Sequence, residues 1–427
     1  MIISGIYDLL QPYFLKLKKY YFYIFFIMVS VAFGIHTSFG LKHYYYEKSS
    51  KLIIIAISLF FIFSRFLFSE KKLHKFEVLF LIYSIITSLS AIIAGNFAFV
   101  DITHPIIGLI VFIGISSYLT IEKPDEKKII IILAIFLVYP YLHLFFLVAD
   151  NYSYLLQFFL GNAPYENTVF MGLTHNQNVF GLEMMLGAMI SLSLTFYKIR
   201  NGIKGFLVYL YVLSSMLFVL FTFLSGSRAS LLGIFALILL TIFFSPKIII
   251  EILKNLIHYK YSAILSIIAA IAAVILFFPA FEFFFSKFKF GTSMRTALWE
   301  EFFLYNYNKF PSLEFFFGYG FTGLKAKVVI SNPDFYKYHL HNMFFEIWGR
   351  FGLFSLFSII IVYINMIKNS IRINKLWFLV MIPLAFIIHD MFEVVLVIRV
   401  TRWEVLFFNT ILIIPLIFQK YNSDNIT

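Results

Sequence analysis

Long, nearly unbroken apolar runs dominate the chain, and short polar stretches separate them. Each run holds roughly 20 residues, the length at which a helix crosses the hydrocarbon of a bilayer. The pattern predicts spans at 20–40, 52–69, 76–95, 102–121, 129–149, 177–197, 205–224, 229–245, 263–285, 342–366, 376–397 and 404–419. The seventh and eighth are divided only by "SGSR" at 225–228. The expected fold is all-α, a polytopic membrane protein with about twelve transmembrane helices. Residues 1–427 are expected to form a single membrane-embedded domain. One polar segment, 286–341, is far longer than the others, and a long connection in a compact body usually carries function. Within it, "SMRTALWEEFFLYNYNKF" (293–310) repeats Met294, Leu298, Phe302 and Tyr305 at helical spacing. That predicts an amphipathic helix on or near the membrane surface.

Composition sharpens this picture. Hydrophobic residues make up 61% of the chain and charged residues 13%. Soluble domains carry about 45–50% and about 25%, so a soluble enzyme is excluded. The 34 basic and 22 acidic residues leave a net charge of +12. Such an excess can mark a nucleic-acid binder, but in a polytopic protein Lys and Arg gather on cytoplasmic connections. The partner implied is the lipid bilayer, not nucleic acid. Alternate connections carry Lys71, Lys72 and Lys75, then Lys123, Lys127 and Lys128, then Lys198, Arg200 and Lys204. Lys247, Lys254 and Lys260 follow, then Lys368, Arg372 and Lys375, on the same side as Lys16, Lys18 and Lys19. The connections 96–101 and 150–174 hold neither Lys nor Arg; segment 41–51, with Lys42, Lys48 and Lys51, is the exception. The positive-inside rule then puts both termini in the cytoplasm. Stretch 20–40 is long enough to span and reads as a retained first helix, not a cleaved signal. The absence of cysteine removes disulfides, thiolate catalysis and Cys-bound metal.

On this topology the outer face collects 286–341, "SGSR", the stretch ahead of 177 and the connection 398–403. Arg228 follows Ser225, Gly226 and Ser227. It is either a side chain snorkelling to head groups or a planar fork for phosphate oxygens beside small residues that let an anion approach. Arg295 and Trp299 stand four apart, hence on one helical face. They read as an interfacial aromatic with a surface cation, or as a second phosphate ligand with a stacking or supporting ring. His339 and His341 lack further ligands at zinc spacing. Asn342 can cap the following helix, and a histidine, titrating near neutrality, can serve as a general base. His175, Asn176 and Asn178, with Glu183 one turn inside, offer either caps or partners for sugar hydroxyls. Asp390 and Glu393 near Arg399 and Arg402 suit structural ion pairs at membrane depth. "FGYGFTG" (317–323) follows no strand and reads as pliable backbone close to a ligand, not a nucleotide loop.

In order along the chain stand "SGSRASLL" (225–232), "MRTALW" (294–299), "GYGFTG" (318–323) and "HLHN" (339–342) ahead of "EIWGRFGLFSLF". This series resembles the O-antigen ligase and O-antigen polymerase superfamily of membrane glycosyltransferases. The "HD…R" stretch that includes Asp390 and Arg402 resembles the acidic and basic pair of that family's penultimate helix. The motif resemblance covers about 175–402, and the first 170 residues resemble the family in hydropathy alone. It implies an inverting, metal-independent enzyme of the GT-C type at the periplasmic face of the bacterial inner membrane, with no cofactor. The implied donor is a glycan on undecaprenyl diphosphate, and the acceptor is lipid A–core or a growing glycan. Carried over, Arg228 and Arg295 would hold the diphosphate and His341 would be the base. His339, Asn342, Trp299, His175, Asn176, Asp390 and Arg402 would line the substrates. Two histidines stand in "HLHN"; the asparagine directly after His341 favours it over His339. The outer face holds no Asp-x-Asp motif, which agrees with arginines in place of a divalent cation.

A lipid-linked oligosaccharide flippase is the rival from another class. Transporters place ionisable groups near the midplane between repeats; here the candidates sit at one rim and no repeat is visible. A membrane scaffold is the blander alternative. Within the enzyme reading, ligase and polymerase differ in acceptor, and Glu346 after "HLHN" leans toward ligase.

Overall fold

The structure, a computed structural model, describes residues 12, 16–34, 43–70, 72–93, 99–164, 166, 169–174, 176–201, 206–244, 294–320, 340–371, 377–392 and 401–423. The expected span 263–285 lies outside them, as do His175, His339, Glu393 and Arg399. Among the described residues there is no strand. The helices are α1 (Tyr21–Gly34), α2 (His43–Phe68), α3 (Lys75–Ile93), α4 (Phe99–Glu122), α5 (Glu126–Phe159), α6 (Gln177–Arg200) and α7 (Phe206–Ser225). There follow α8 (Arg228–Phe244), α9 (Met294–Asn308), α10 (Leu313–Phe317), α11 (Met343–Ile371), α12 (Trp377–Asp390) and α13 (Trp403–Ser423). Seven stretches, within α2 to α7 and α11, are long and apolar enough to cross a membrane, and shorter apolar stretches lie in α8, α12 and α13. The protein is therefore a multi-pass membrane protein.

Most boundaries follow the apolar runs, and the departures have local causes. The polar start of α2, "HYYYEKSSK", is helical although it reads as a connection in the hydropathy pattern. Helix α5 runs to Phe159, beyond the expected end at 149, and carries a bend at Asn151, whose side chain donates to the Leu147 carbonyl at 3.1 Å. "SGSR" does divide α7 from α8. Gly226 takes φ +67° and Ser227 caps α8, its Oγ accepting from Ser230 N at 3.4 Å.

Helix α6 is the pillar of the bundle, with 94% of its apolar window buried, against 44% for α7. Small residues allow that burial by letting neighbours come close. A Cβ on Gly187 would lie 2.9 Å from Pro140 and Phe218, and one on Gly181 would lie 2.5 Å from Ser227 Cβ. Helices α5, α7, α8 and α12 all pack against α6, while α13 packs on α1, α4, α11 and α12.

The α2–α3 and α4–α5 connections meet the ends of α6 and α13 at one end of the bundle. Glu70 accepts from Lys420 Nζ at 2.6 Å, and Lys123 Nζ lies 4.4 Å from the Tyr421 ring centroid. Tyr197 donates to Glu126 at 3.2 Å, and His74 Nε2 lies 3.0 Å from Thr120 Oγ1. Arg65 and Glu77, both fully buried, pair beneath the same α2–α3 turn. The start of α6 and the ends of α7 and α12 therefore lie at the opposite end.

Part of the long 286–341 segment is built as α9 and α10 on the flank of α11. The Leu298 and Phe302 stripe of α9 is covered by protein, in a small core with Tyr319 and Leu340. Phe303, Leu304 and Tyr307 face outward. Helix α11 breaks at Gly352, with φ +81° and ψ 175°. A Cβ there would stand 2.0 Å from the Phe316 carbonyl oxygen, and one on Gly318 (φ +82°) would stand 2.4 Å from the Arg350 carbonyl. Only glycine fits either conformation and either approach. The Tyr319 N–H seals the crossing by donating to the Gly349 carbonyl at 2.8 Å. The close approach expected of "FGYGFTG" is thus made, at Gly318, to the protein's own backbone.

Candidate active site

That opposite end gathers the starts of α6, α8 and α11 with the end of α12. Four free N–H groups crown every helix start, and short polar side chains satisfy them. Asn176 caps α6, accepting from Asn178 N at 2.9 Å and Val179 N at 3.3 Å. Asn342 caps α11 in the same way, accepting from Phe344 N at 2.9 Å and Phe345 N at 3.1 Å. Its amide also donates to the Met391 carbonyl at 2.8 Å, tying the start of α11 to the end of α12. Both asparagines therefore have a demonstrated capping role.

Arg228 is the first residue of α8 and is half-buried. Its level relative to α12 follows from the crossing of the two helices, where Gly233 faces the Ala385 carbonyl. Five residues outward on each helix, about 7.5 Å at 1.5 Å per residue, bring Arg228 and Asp390 to the same height. Asp390 is fully buried, and its Oδ1 lies 3.4 Å from Nδ1 of the equally buried His389. Arg402 is half-buried just ahead of α13, its carbonyl accepting from Leu406 N at 3.0 Å.

His341 is the most constrained of the candidates. Its φ of +50° places it in the left-handed region, shared among described non-glycine residues only with Lys123. That conformation costs about 1–3 kcal/mol and persists where surroundings over-determine it. The surroundings do so here. The preceding residue, Leu340, donates its N–H to Glu346 Oε2 at 3.0 Å and accepts from Trp299 Nε1 at 2.7 Å. The following residue is the doubly accepting Asn342. Each such bond contributes about 0.5–1.5 kcal/mol net, so together they offset the strain. His341 as a whole is half-buried.

Trp299 is a support more than an open stacking surface. Beyond its bond to Leu340, its ring meets Phe345 edge-on, with centroids 5.7 Å apart, and lies 6.0 Å from Phe392. Arg295 stands one turn earlier on α9, about 6 Å along the axis. Sequence reasoning reached Asn176, Asn342, Trp299, Asp390 and Arg402 as part of this end but missed three neighbours. One is Arg350, whose NH2 lies 2.5 Å from Glu346 Oε1 with both side chains buried; the i, i+4 spacing was visible in the sequence. Another is His389. The third is His143, Nε2 2.8 Å from Glu183 Oε2 in the core between α5 and α6.

As chemistry, this end offers a guanidinium at a helix start, an imidazole in a fixed backbone frame and a buried carboxylate one helix away. Among the described residues no group of three or more His, Asp or Glu side chains could hold a metal ion. A family model described as O-antigen ligase matches residues 213–360, a region that contains Arg228, Arg295, Trp299, His341 and Asn342. No curated protein matches the chain. The family match supports placement in the O-antigen ligase superfamily and, at family level, a ligase or related polymerase.

Proposed function

With that placement as the starting point, we propose that this protein is an O-antigen ligase. It transfers a glycan from undecaprenyl diphosphate to a sugar hydroxyl of lipid A–core at the periplasmic face of the bacterial inner membrane. Both termini are then cytoplasmic and residues 1–427 act as one membrane-embedded body. The observation that supports this reading best is the left-handed His341, framed at the end where α8 presents Arg228, with both residues inside the matched region.

In the proposed reaction the acceptor oxygen attacks the anomeric carbon from the face opposite the lipid diphosphate. The new C–O bond forms as the bond from the anomeric carbon to the phosphate oxygen breaks, so configuration inverts. His341 takes the hydroxyl proton, a role worth roughly 10²–10⁴-fold in rate. The electron pair leaves with the diphosphate, whose growing charge Arg228 and Arg295 stabilise; one such preorganised donor is worth about 3–4 kcal/mol. His339, His175, Asn176, Asp390 and Arg402 are assigned to substrate positioning, and no metal or cofactor takes part.

A deletion strain tests the function. Loss of a ligase leaves bare lipid A–core while lipid-linked polymer accumulates. Single repeat units on the core would instead identify a polymerase, which shares the donor and the chemistry but not the acceptor. Normal surface glycan would reject both.

A further inference from the structure

The buried Glu346–Arg350 pair sits on the first two turns of α11, where capping alone would not require it. A carboxylate one turn into a helix is favoured by the local dipole, yet burying it is costly unless it is paired and hydrogen-bonded. Both conditions are met. Arg350 NH2 approaches Oε1 at 2.5 Å, and Oε2 accepts the Leu340 N–H at 3.0 Å. Both ends of this link are anchored. The Arg350 carbonyl lies under Gly318, where α10 crosses α11, and Gly349 accepts from Tyr319 N. On the far side of Leu340, Trp299 Nε1 grips the carbonyl from α9. Leu340 is thus held at both polar backbone groups, from two helices, immediately before a residue in a conformation that non-glycine side chains rarely adopt.

We propose that Glu346, oriented by Arg350 and opposed by Trp299, is the positioning residue that fixes the backbone of His341 and so aims its imidazole. This rests on the reading of His341 as the base. Glu346 touches no reacting atom in this scheme; it acts through Leu340. The acid that the sequence pattern tied to acceptor choice is thereby given to the geometry of the base. Tight positioning matters because a displacement of about 1 Å in a reacting group can cost about 10²-fold in rate.

The test measures kcat and KM for the lipid-linked donor with purified full-length protein, alongside thermal unfolding. Glu346→Ala removes the acceptor of the Leu340 N–H. Its kcat should fall by about tenfold or more with KM within about twofold, because donor binding is untouched. Glu346→Gln keeps an acceptor oxygen at the same reach and should recover most of that loss. Trp299→Phe keeps an aromatic ring, though a smaller one, and deletes the N–H, so it should reproduce the kcat loss without a KM change. It supplies the test even if Glu346→Ala fails to accumulate. Wild-type kcat in the folded Glu346→Ala or Trp299→Phe protein would overturn the proposal, as would a loss confined to KM or equal impairment of the Gln and Ala variants. His341→Ala separates the two claims. If it is inactive while Glu346→Ala has wild-type kcat, the clamp alone is wrong; if it retains near-normal turnover, the base assignment falls and the clamp with it.

Discussion

Arg228 and His341 carry the reading at the scale of single residues, and each is held by a different device. The guanidinium begins a helix whose cap, Ser227, is packed against Gly181 of the central pillar. The imidazole stands on strained backbone between Leu340 and Asn342. For the arginine the bidentate fork matters more than the charge. Arg228→Lys is therefore expected to lose transfer by about 10²-fold or more while inserting and folding normally, since a point charge does not reproduce two parallel N–H bonds. Transfer assays on the purified variant check this, and near-wild-type activity would reduce Arg228 to a head-group anchor. The capping asparagine at 342 was legible in the sequence because caps precede apolar runs. The left-handed twist at His341 was not. The Leu340 carbonyl beside it is held by Trp299, 41 residues away, and no local pattern reports a bond across that distance.

Apolar run length predicted nearly every described helix at the scale of elements, because backbone groups in lipid must be satisfied within a helix and each span needs about 20 residues. The failures occur where polar residues extend a helix past the hydrocarbon. "HYYYEKSSK" continues α2 and "DNYSYLLQFF" continues α5. The placement of α9 and α10 was equally hidden. Their helical period was plain, but the docking surface is the Gly318–Gly352 crossing with α11, which sequence spacing does not encode. Gly352→Ala should destabilise the protein by about 3 kcal/mol or more, combining a glycine-only backbone with a Cβ 2.0 Å from Phe316 O. Gly161→Ala is the control; it has φ +76° with open space around it, and it should cost about 1 kcal/mol. Thermal unfolding of the two solubilised variants should rank them in that order.

The α2–α3 turn gives a pH prediction outside the spans. Burial holds the His74 imidazole down to about 4 from 6.5, with Glu77 opposing and Arg65 assisting. The folded form therefore keeps a neutral ring, while the unfolded chain takes up a proton below about 6.5. Stability contributed by the neutral ring is complete above pH 6.5 and declines as pH falls from there toward 4. Unfolding temperatures of wild type should drop over that window, and His74→Gln should flatten the drop. An unchanged slope in the variant would remove His74 from the cause.

The whole molecule is a sided machine. Lysine-rich turns lock together through Glu70, Lys420, Tyr421 and Lys123 at one end, and the candidate site assembles at the other, some six turns of α6 away by helix length. The charge pattern already implied this polarity, and the helix ends agree with it. What charge and hydropathy could not supply was the convergence of α8, α11 and α12, which depends on glycine crossings and the Asn342–Met391 bond. On the proposed orientation, single cysteines at 228 and 341 should react with membrane-impermeant maleimide in intact spheroplasts, and a cysteine at 123 should react only after lysis. The reverse pattern would place the site in the cytosol and end the proposal.

The most direct test is transfer by the purified protein from undecaprenyl-diphosphate-linked glycan to lipid A–core in excess EDTA, with wild type and His341→Ala side by side. Wild type should transfer fully without divalent cations, and the variant should fall by at least about 10²-fold. Transfer that requires a divalent cation, or a His341→Ala enzyme running near the wild-type rate, would contradict the mechanism proposed for this end of the molecule.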